Sequence, residues 1–148
     1  MKKIFLFLTT ILIGFIVISS CTTYYIPIDS FREQFAGIDS TQLIKVTMAG
    51  PLYRRYHYLA NPITTIACTD KKGNPHQFIN KPSLETRFTY GHKNKRKIFY
   101  FDRIFVNTHS VIGVESRFIE SIRSSIPIDS IIKIEIQDGH KKWTYIDE

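Results

Sequence analysis

The segment that decides the fold reads Ile131-Ile132-Lys133-Ile134-Glu135-Ile136-Gln137-Asp138-Gly139. From its second residue onward, isoleucines alternate with polar residues, which is the period of a strand with one buried face. The closing Asp-Gly pair is followed by Trp143 and Tyr145 in the same alternation, and Asp-Gly between alternating segments is a strong hairpin signal. The sequence therefore predicts a terminal β-hairpin, with four residues facing the core: Ile132, Ile134, Ile136 and Trp143.

Eight shorter segments upstream have the same strand character, and turn residues such as Asn61-Pro62 separate them. They cover residues 43–48, 52–59, 63–69, 76–79, 84–90, 97–101, 104–107 and 111–119. Many short strands with little helix predict a mainly β fold in which neighbouring strands form an antiparallel meander. We expect a small antiparallel barrel or a strongly bent sheet, since closure or bending removes exposed strand edges.

One short helix is predicted near the N-terminal side of this β region. Ser30 and Glu33 have the spacing of a capping box, and Phe31 and Phe35 would share one helix face. The preceding pentapeptide, Ile-Pro-Ile-Asp-Ser at residues 26–30, recurs letter for letter at residues 126–130. Because the residues that follow each copy differ, we interpret the repeat as one helical turn used twice, with duplication as the alternative.

The first 20 residues have the layout of a secretory signal. Lys2 and Lys3 precede an apolar run over residues 4–18, and the small residues Ser19 and Ser20 follow it. As a helix, this run would cover only about 22 Å, which is short of the roughly 30 Å hydrocarbon core of a bilayer. A cleaved leader over residues 1–20 is therefore predicted, in preference to a membrane-spanning helix.

The end of this leader resembles the lipobox of bacterial lipoproteins. Ile18-Ser19-Ser20-Cys21 matches all four positions of that motif. The resemblance implies that cleavage leaves Cys21 as the first residue, with a covalent lipid on its thiol and no other cofactor. Two or three acyl chains would give a lasting anchor, because each buried methylene contributes about 0.8 kcal/mol. An ordinary signal that happens to precede a cysteine is the alternative.

The chain behind the leader is interpreted as one domain. Residues 21–28 carry no charge and include a proline, so we expect a lipidated, partly extended tether. At about 3.5 Å per residue it would reach only about 25 Å from the lipid. Residues 29–148 are predicted to form a single β-rich domain, which is large enough for a hydrophobic core.

A second resemblance covers about a third of the chain behind the leader. Residues 116–119, 126–131 and 133–139 are similar to those of small uncharacterised lipoproteins of Bacteroidota. This resemblance implies a β domain and a bacterial envelope, but no activity. By the same comparison, Thr22 and Thr23 lack the aspartate that retains some lipoproteins at the inner membrane. We therefore expect the protein at the outer membrane. Surface-export tags of Bacteroidota lipoproteins have acidic residues just after the lipidated cysteine, whereas the first acidic residue here is Asp29, so we expect the periplasmic side.

The charge of the chain is mildly basic. Removal of Lys2 and Lys3 leaves 18 of its 20 basic residues against 13 acidic ones, a net charge of about +5. This excess in an exported protein does not indicate a nucleic-acid partner. Most basic pairs lie beside predicted turns, where they keep β edges soluble. The alternative is contact with anionic lipid or with a protein partner, through eight candidates: Arg54, Arg55, Lys93, Lys95, Arg96, Lys97, Lys141 and Lys142.

No catalytic or metal-binding motif is apparent in the sequence. The five histidines never stand three or four residues apart, as a helical metal site requires, although strands could still bring some of them together. There is no Gly-x-Ser-x-Gly elbow and no phosphate-binding glycine loop. Cys68 lies in a β-branched segment, which favours a buried, inert thiol over a reactive or intermolecular one.

These observations favour a non-enzymatic binding or assembly module anchored in the envelope. Its partner would be the bilayer itself or another envelope protein, contacted through basic strands and strands rich in aromatic residues. The oligomeric state is open. The alternative from another class is an envelope hydrolase or small-ligand carrier whose site lies inside the β domain.

Overall fold

A computed structural model describes residues 23–51, 54–119 and 121–146. The predicted leader and Cys21 therefore lie outside the described residues. Within these ranges the chain forms one α-helix and twelve strands. They are β1 (Tyr24–Tyr25), α1 (Ile28–Gln34), β2 (Ile44–Ala49), β3 (Arg55–Ala60), β4 (Thr65–Thr69), β5 (Pro75–Ile79), β6 (Leu84–Tyr90), β7 (Lys95–Tyr100), β8 (Phe105–Val106), β9 (Ser110–Val114), β10 (Arg123–Pro127), β11 (Ile131–Asp138) and β12 (Thr144–Tyr145).

The strands form three antiparallel sheets, so the mainly β prediction is confirmed. The largest sheet has the order β5-β4-β1-β11-β6-β7, and the two smaller ones have the orders β10-β9-β8 and β12-β2-β3. Consecutive strands often pair, as the predicted meander requires, but β1 and β11 lie side by side in the centre of the large sheet. That sheet is open, with β5 and β7 at its edges, so the barrel alternative is wrong for the described residues.

The predicted terminal hairpin is also wrong. β11 pairs with β1 on one side and with β6 on the other, as in the pairs Tyr24–Ile136 and Asp138–Leu84. Both edges of β11 are therefore occupied, and no edge remains for the residues that follow it. The chain continues past Asp138-Gly139 into another sheet, where Thr144 of β12 pairs with Ala49 of β2.

A β-bulge changes which isoleucines of β11 reach the core. The register with β6 shifts between Ile131 and Lys133, and two side chains change places as a result. Ile131 is 7% exposed, whereas Ile132 is 53% exposed, so the predicted core position of Ile132 is wrong. Ile134, Ile136 and Trp143 are buried, as predicted.

The segment predicted to be a tether lies largely inside the folded domain. Tyr24 and Tyr25 form β1 between β11 and β4. The next residue, Ile26, is 2% exposed, and its backbone N–H donates to Ile134 O at 3.0 Å. The predicted domain boundary at Asp29 is therefore corrected, because residues 24–28 are already part of the domain.

The helix and the repeated pentapeptide follow one local design. α1 begins directly after Pro27, not at the predicted cap, and the Phe31 and Phe35 rings are 4.5 Å apart on its buried face. In the second copy, Pro127 likewise precedes a 3₁₀ turn over Ile128–Ser130. A proline at this position has the backbone angle that starts a helical turn, and this favours reuse of the same local chemistry.

Two apolar clusters fill the structure. The larger lies between the six-stranded sheet, α1 and the β10-β9-β8 sheet, with Phe88, Phe99 and Ile136 among its fully buried members. The smaller lies on the β12-β2-β3 sheet and contains Met48, Tyr58, Ala60 and Trp143. The candidate surface described next lies near the boundary between these two clusters.

Candidate functional site

The six-stranded sheet has two ends, and the basic candidates divide between them. At one end β1 begins, β11 finishes and β6 begins, as the pair Asp138–Leu84 shows. We call this the Tyr24 end. At the other end, which we call the Tyr90 end, β6 turns into β7 through the pair Tyr90–Lys95.

Three of the eight candidates lie at the Tyr90 end. Lys93, Lys95 and Arg96 are exposed around the turn between β6 and β7. The row of the sheet that contains Tyr90 lies three residues along β6 from the row of Tyr25, which corresponds to about 10 Å, and β7 is three strands away from β1. These residues are therefore at the opposite end of the sheet from the first described residues of the chain.

Lys97 points away from both ends of the sheet. Its Nζ lies 2.5 Å from Glu115 Oε1 and donates to Ser124 Oγ at 2.9 Å. These contacts attach the edge strand β7 to the segments on either side of the β9–β10 connection. Lys97 is thus engaged within the protein and is a weaker candidate for external contact than its neighbours.

The other four candidates lie toward the Tyr24 end. Beyond β11, the Gly139 N–H donates to Ser83 O, and Lys141 Nζ contacts Glu85 Oε1 at 2.5 Å and Tyr100 Oη at 3.1 Å. Lys142 is exposed next to it. Arg55 pairs with Ala49, which also pairs with Thr144 of β12, so Arg54 and Arg55 lie about two strand spacings, or about 10 Å, from this segment.

A buried ion pair holds this side of the molecule together. The side chains of Asp102 and Arg117 are both fully buried, and Arg117 Nη2 lies 2.8 Å from Asp102 Oδ1. Asp102 Oδ2 also accepts hydrogen bonds from the hydroxyls of Tyr58 at 2.5 Å and Tyr145 at 2.8 Å. Arg117 Nη2 donates in addition to Pro82 O. One carboxylate therefore connects β3, β12 and the segment after β9 to the end of β7.

The electrostatics of this network keep it in one protonation state. Burial, together with the charge of Asp102, raises the pKa of Tyr58 and of Tyr145. Both phenols therefore remain donors at physiological pH. Burial lowers the pKa of Arg117, but the charge of Asp102, its hydrogen bond and the two neighbouring phenols together outweigh burial and raise the pKa above its usual value. We interpret the arrangement as a structural network, since a group that transfers protons in catalysis generally titrates near neutral pH.

Aromatic rings extend from this buried network to the surface. The Arg117 guanidinium lies 4.0 Å from the centre of the Tyr100 ring, and Tyr100 lies 5.7 Å from Trp143. The next ring, Phe118, is 6.0 Å from Trp143 and 5.2 Å from Tyr56. Lys141 Nζ also lies 5.0 Å from the centres of the Tyr100 and Trp143 rings, so two cations lie against this group of rings at distances that favour cation–π attraction.

The loop between β9 and β10 exposes three large apolar side chains. Phe118 is 60% exposed, Ile119 50% and Ile122 43%. The sequence predicts a strand over residues 111–119, but β9 ends at Val114. Beyond it, Ser116 Oγ accepts hydrogen bonds from the backbone N–H groups of Phe118 and Ile119, which turns the chain.

Exposure of this apolar group was not predicted from the sequence. A run such as Arg117-Phe118-Ile119 has a composition that also occurs in buried strands. Composition alone does not indicate whether its side chains face the core or the solvent. The one available signal was Ser116, because a serine hydroxyl can start a turn.

The residues considered for catalysis are not assembled into a site. Cys68 is buried, as predicted, and burial raises the pKa of its thiol to about 11. Across residues 23–51, 54–119 and 121–146, no three His, Cys, Asp or Glu residues are grouped so that they could hold a metal ion. The same ranges contain no helix that is long and apolar enough to cross a membrane.

Comparison with protein-family models, with curated proteins and with solved structures finds no significant match to this chain. Two features of this chain bear on its function, namely the sequence motif at Cys21 and the surface at the Tyr24 end.

Proposed function

We propose that this protein is a lipid-anchored bacterial envelope lipoprotein that acts as a non-enzymatic binding or assembly module. Cys21 carries the lipid, and the domain faces the periplasm from the outer membrane. The observation that carries the proposal is the lipobox Ile18-Ser19-Ser20-Cys21 behind a basic and apolar leader.

The position of β1 supports a short attachment. Only Thr22 and Thr23 separate Cys21 from Tyr24, the first residue of a strand in the centre of the large sheet. At about 3.5 Å per residue, the lipidated cysteine would lie within about 10 Å of the folded domain. The domain would then be confined to the membrane surface, and weak contacts there would be effective because tethering raises their local concentration.

The character of the exposed surface supports binding rather than catalysis. Its polar centre, Asp102 with Arg117, is fully buried, while its accessible part consists of apolar side chains and cations. A surface of this kind offers contact area and charge complementarity.

The anchor is tested by growing cells that express the protein with radiolabelled palmitate. We expect label on the wild-type chain and on Cys68→Ala, because the buried thiol is not the acceptor. Cys21→Ala should carry no label and should leave the membrane fraction. Label on Cys21→Ala, or its absence from the wild type, would refute the proposal. The membrane is identified by separating inner and outer membranes on a density gradient.

A further inference from the structure

We infer that the β9–β10 loop inserts Phe118, Ile119 and Ile122 into the surface of the bilayer that holds the anchor. Arg54, Arg55 and Lys142 would then lie over anionic lipid headgroups, whereas the Lys141 ammonium stays paired with Glu85. This inference rests on the proposed lipidation of Cys21, and it specifies which side of the domain faces the membrane.

The buried residue Arg117 fixes the start of the loop, and the apolar side chains that follow it are exposed. Arg117 is only 4% exposed, because its guanidinium is held by Asp102 and by Pro82 O. The adjacent Phe118 is 60% exposed, and its ring contacts the protein only through Trp143 at 6.0 Å and Tyr56 at 5.2 Å among the ring contacts of the described residues. A fixed buried residue therefore keeps apolar side chains in water, which is unfavourable unless another apolar phase covers them.

The first described residues and the loop lie at the same end of the molecule. Tyr24 lies in a row of the large sheet that runs through Ile136 and Thr86 to Phe99, and Tyr100 follows at the end of β7. Three strand spacings separate β1 from β7, or about 14 Å. From Tyr100, two ring contacts of 5.7 Å and 6.0 Å lead through Trp143 to Phe118. A lipid on Cys21 and the apolar loop can therefore reach one membrane plane.

The residues around the loop have the composition of a membrane interface. Trp143, Tyr100 and Tyr56 form the aromatic group behind Phe118, and such amphipathic rings favour the headgroup region. Arg54, Arg55 and Lys142 are exposed on the same side. Cations near an anionic surface add attraction that apolar insertion alone lacks. Apolar, aromatic and basic side chains thus lie at the end of the domain nearest to the proposed lipid attachment. This combination favours a lipid surface over a protein partner.

The single tryptophan of the chain provides the test. Trp143 is 9% exposed and its ring lies 6.0 Å from that of Phe118, so its fluorescence reports the close approach of lipid to the loop. The full lipidated protein is reconstituted into vesicles of phosphatidylethanolamine and phosphatidylglycerol whose acyl chains carry bromine, a short-range quencher. We expect quenching in the wild type and at least about a twofold loss of it in the variant F118S/I119S/I122S, since both depend on apolar burial in the bilayer.

A matched control uses exposed isoleucines far from the loop. Ile79 is 79% exposed and Ile132 53% exposed, and their pairing places both toward the Tyr90 end of the sheet. The variant I79S/I132S should be quenched like the wild type. Because all substituted side chains are exposed, both variants should keep the wild-type far-ultraviolet circular dichroism. The single substitution Ile119→Asp provides a second, smaller perturbation of the loop.

The outcomes separate the inference from the proposed function. A protein that floats with the vesicles but shows no quenching would overturn the inference and leave the anchor in place, with a protein partner as the remaining ligand of the loop. Equal quenching of wild type and F118S/I119S/I122S would also overturn it. A wild-type protein that carries no palmitate and does not float would overturn the proposed function together with the inference.

Discussion

At the scale of single residues, the pair Asp102 and Arg117 has the largest structural role on the Tyr24 side. Two ionised side chains without exposure are stable only when each is paired, since an uncompensated charge in the interior loses its hydration. Here the carboxylate has the guanidinium and two phenols as donors. These contacts explain why β3, β12 and the β9–β10 loop keep a fixed position relative to β7.

Replacement of Arg117 by methionine is expected to be strongly destabilising. Methionine retains the apolar volume but leaves Asp102 charged and buried without a counterion, which costs about 3–5 kcal/mol in the free energy of unfolding. Urea denaturation followed by Trp143 fluorescence measures the change. Arg96→Met, at an exposed site on β7, should stay within about 0.5 kcal/mol of the wild type. Similar values for the two variants would show that the buried pair contributes little.

The raised pKa of Cys68 predicts a pH dependence of stability. The raised pKa keeps this thiol protonated in the folded protein up to about pH 11, whereas a thiol in the unfolded chain has a pKa near 9.0. Above pH 9 the unfolded chain therefore binds fewer protons than the folded one, so the free energy of unfolding falls as the pH rises. Urea midpoints between pH 7 and pH 10.5 should decrease more steeply in the wild type than in Cys68→Ala. Parallel pH profiles would contradict the assignment.

At the scale of secondary-structure elements, β1 is short but central. Its two residues pair with β11 and β4, so they join the hairpin of β4 and β5 to the rest of the large sheet. The ladder bonds of a central strand are shielded from water, and their loss leaves buried backbone groups unpaired. The same segment reads as a tether because two residues are too few to show a period.

Substitution of Tyr25 by proline tests the role of β1. Proline removes a backbone donor and fixes the backbone angle, so we expect a loss of roughly 2–3 kcal/mol in the free energy of unfolding. Tyr25→Thr keeps the backbone donor and the strand preference, and it should be clearly less destabilising. If residues 24–28 were a free tether, both variants would unfold at the wild-type urea concentration.

The bulge in β11 illustrates how one extra residue in an element changes a surface. Without the register shift, Ile132 would face the core along with Ile134 and Ile136. With it, Ile131 takes the buried position and Ile132 points to solvent. Bulges of this kind depend on the partner strand, here β6, and they leave no mark on the alternation of a single strand.

At the scale of the whole molecule, two segments that are far apart in the sequence meet in one sheet. β1 lies beside β11, more than a hundred residues away in the sequence. This pairing places the first described residues at the Tyr24 end, which also carries the β12-β2-β3 sheet and the apolar loop. The orientation proposed for the domain on the membrane follows from this arrangement, because attachment at Cys21 would bring the same end toward the lipid.

The sequence by itself determined the local features of this protein. Alternating residues predict the β class and the bounds of β6, and the repeated pentapeptide predicts a helical turn at both of its copies, although α1 begins before the predicted cap at Ser30. The leader and the motif at Cys21 can likewise be read without a structure, and they remain predictions. These features depend only on residues close together in the chain, through side-chain period and turn chemistry.

Only the tertiary structure decided which strands pair and what the surface exposes. Pairing of β11 with β1 and β6, the outward position of Ile132 and the contact of Arg117 with Asp102 all join segments that are distant in the sequence. Such choices depend on the total apolar area buried and on compensation of every buried charge, which are properties of the complete fold. For the same reason, the basic candidates separate into two groups, and Phe118 emerges beside Trp143 as the centre of the candidate surface.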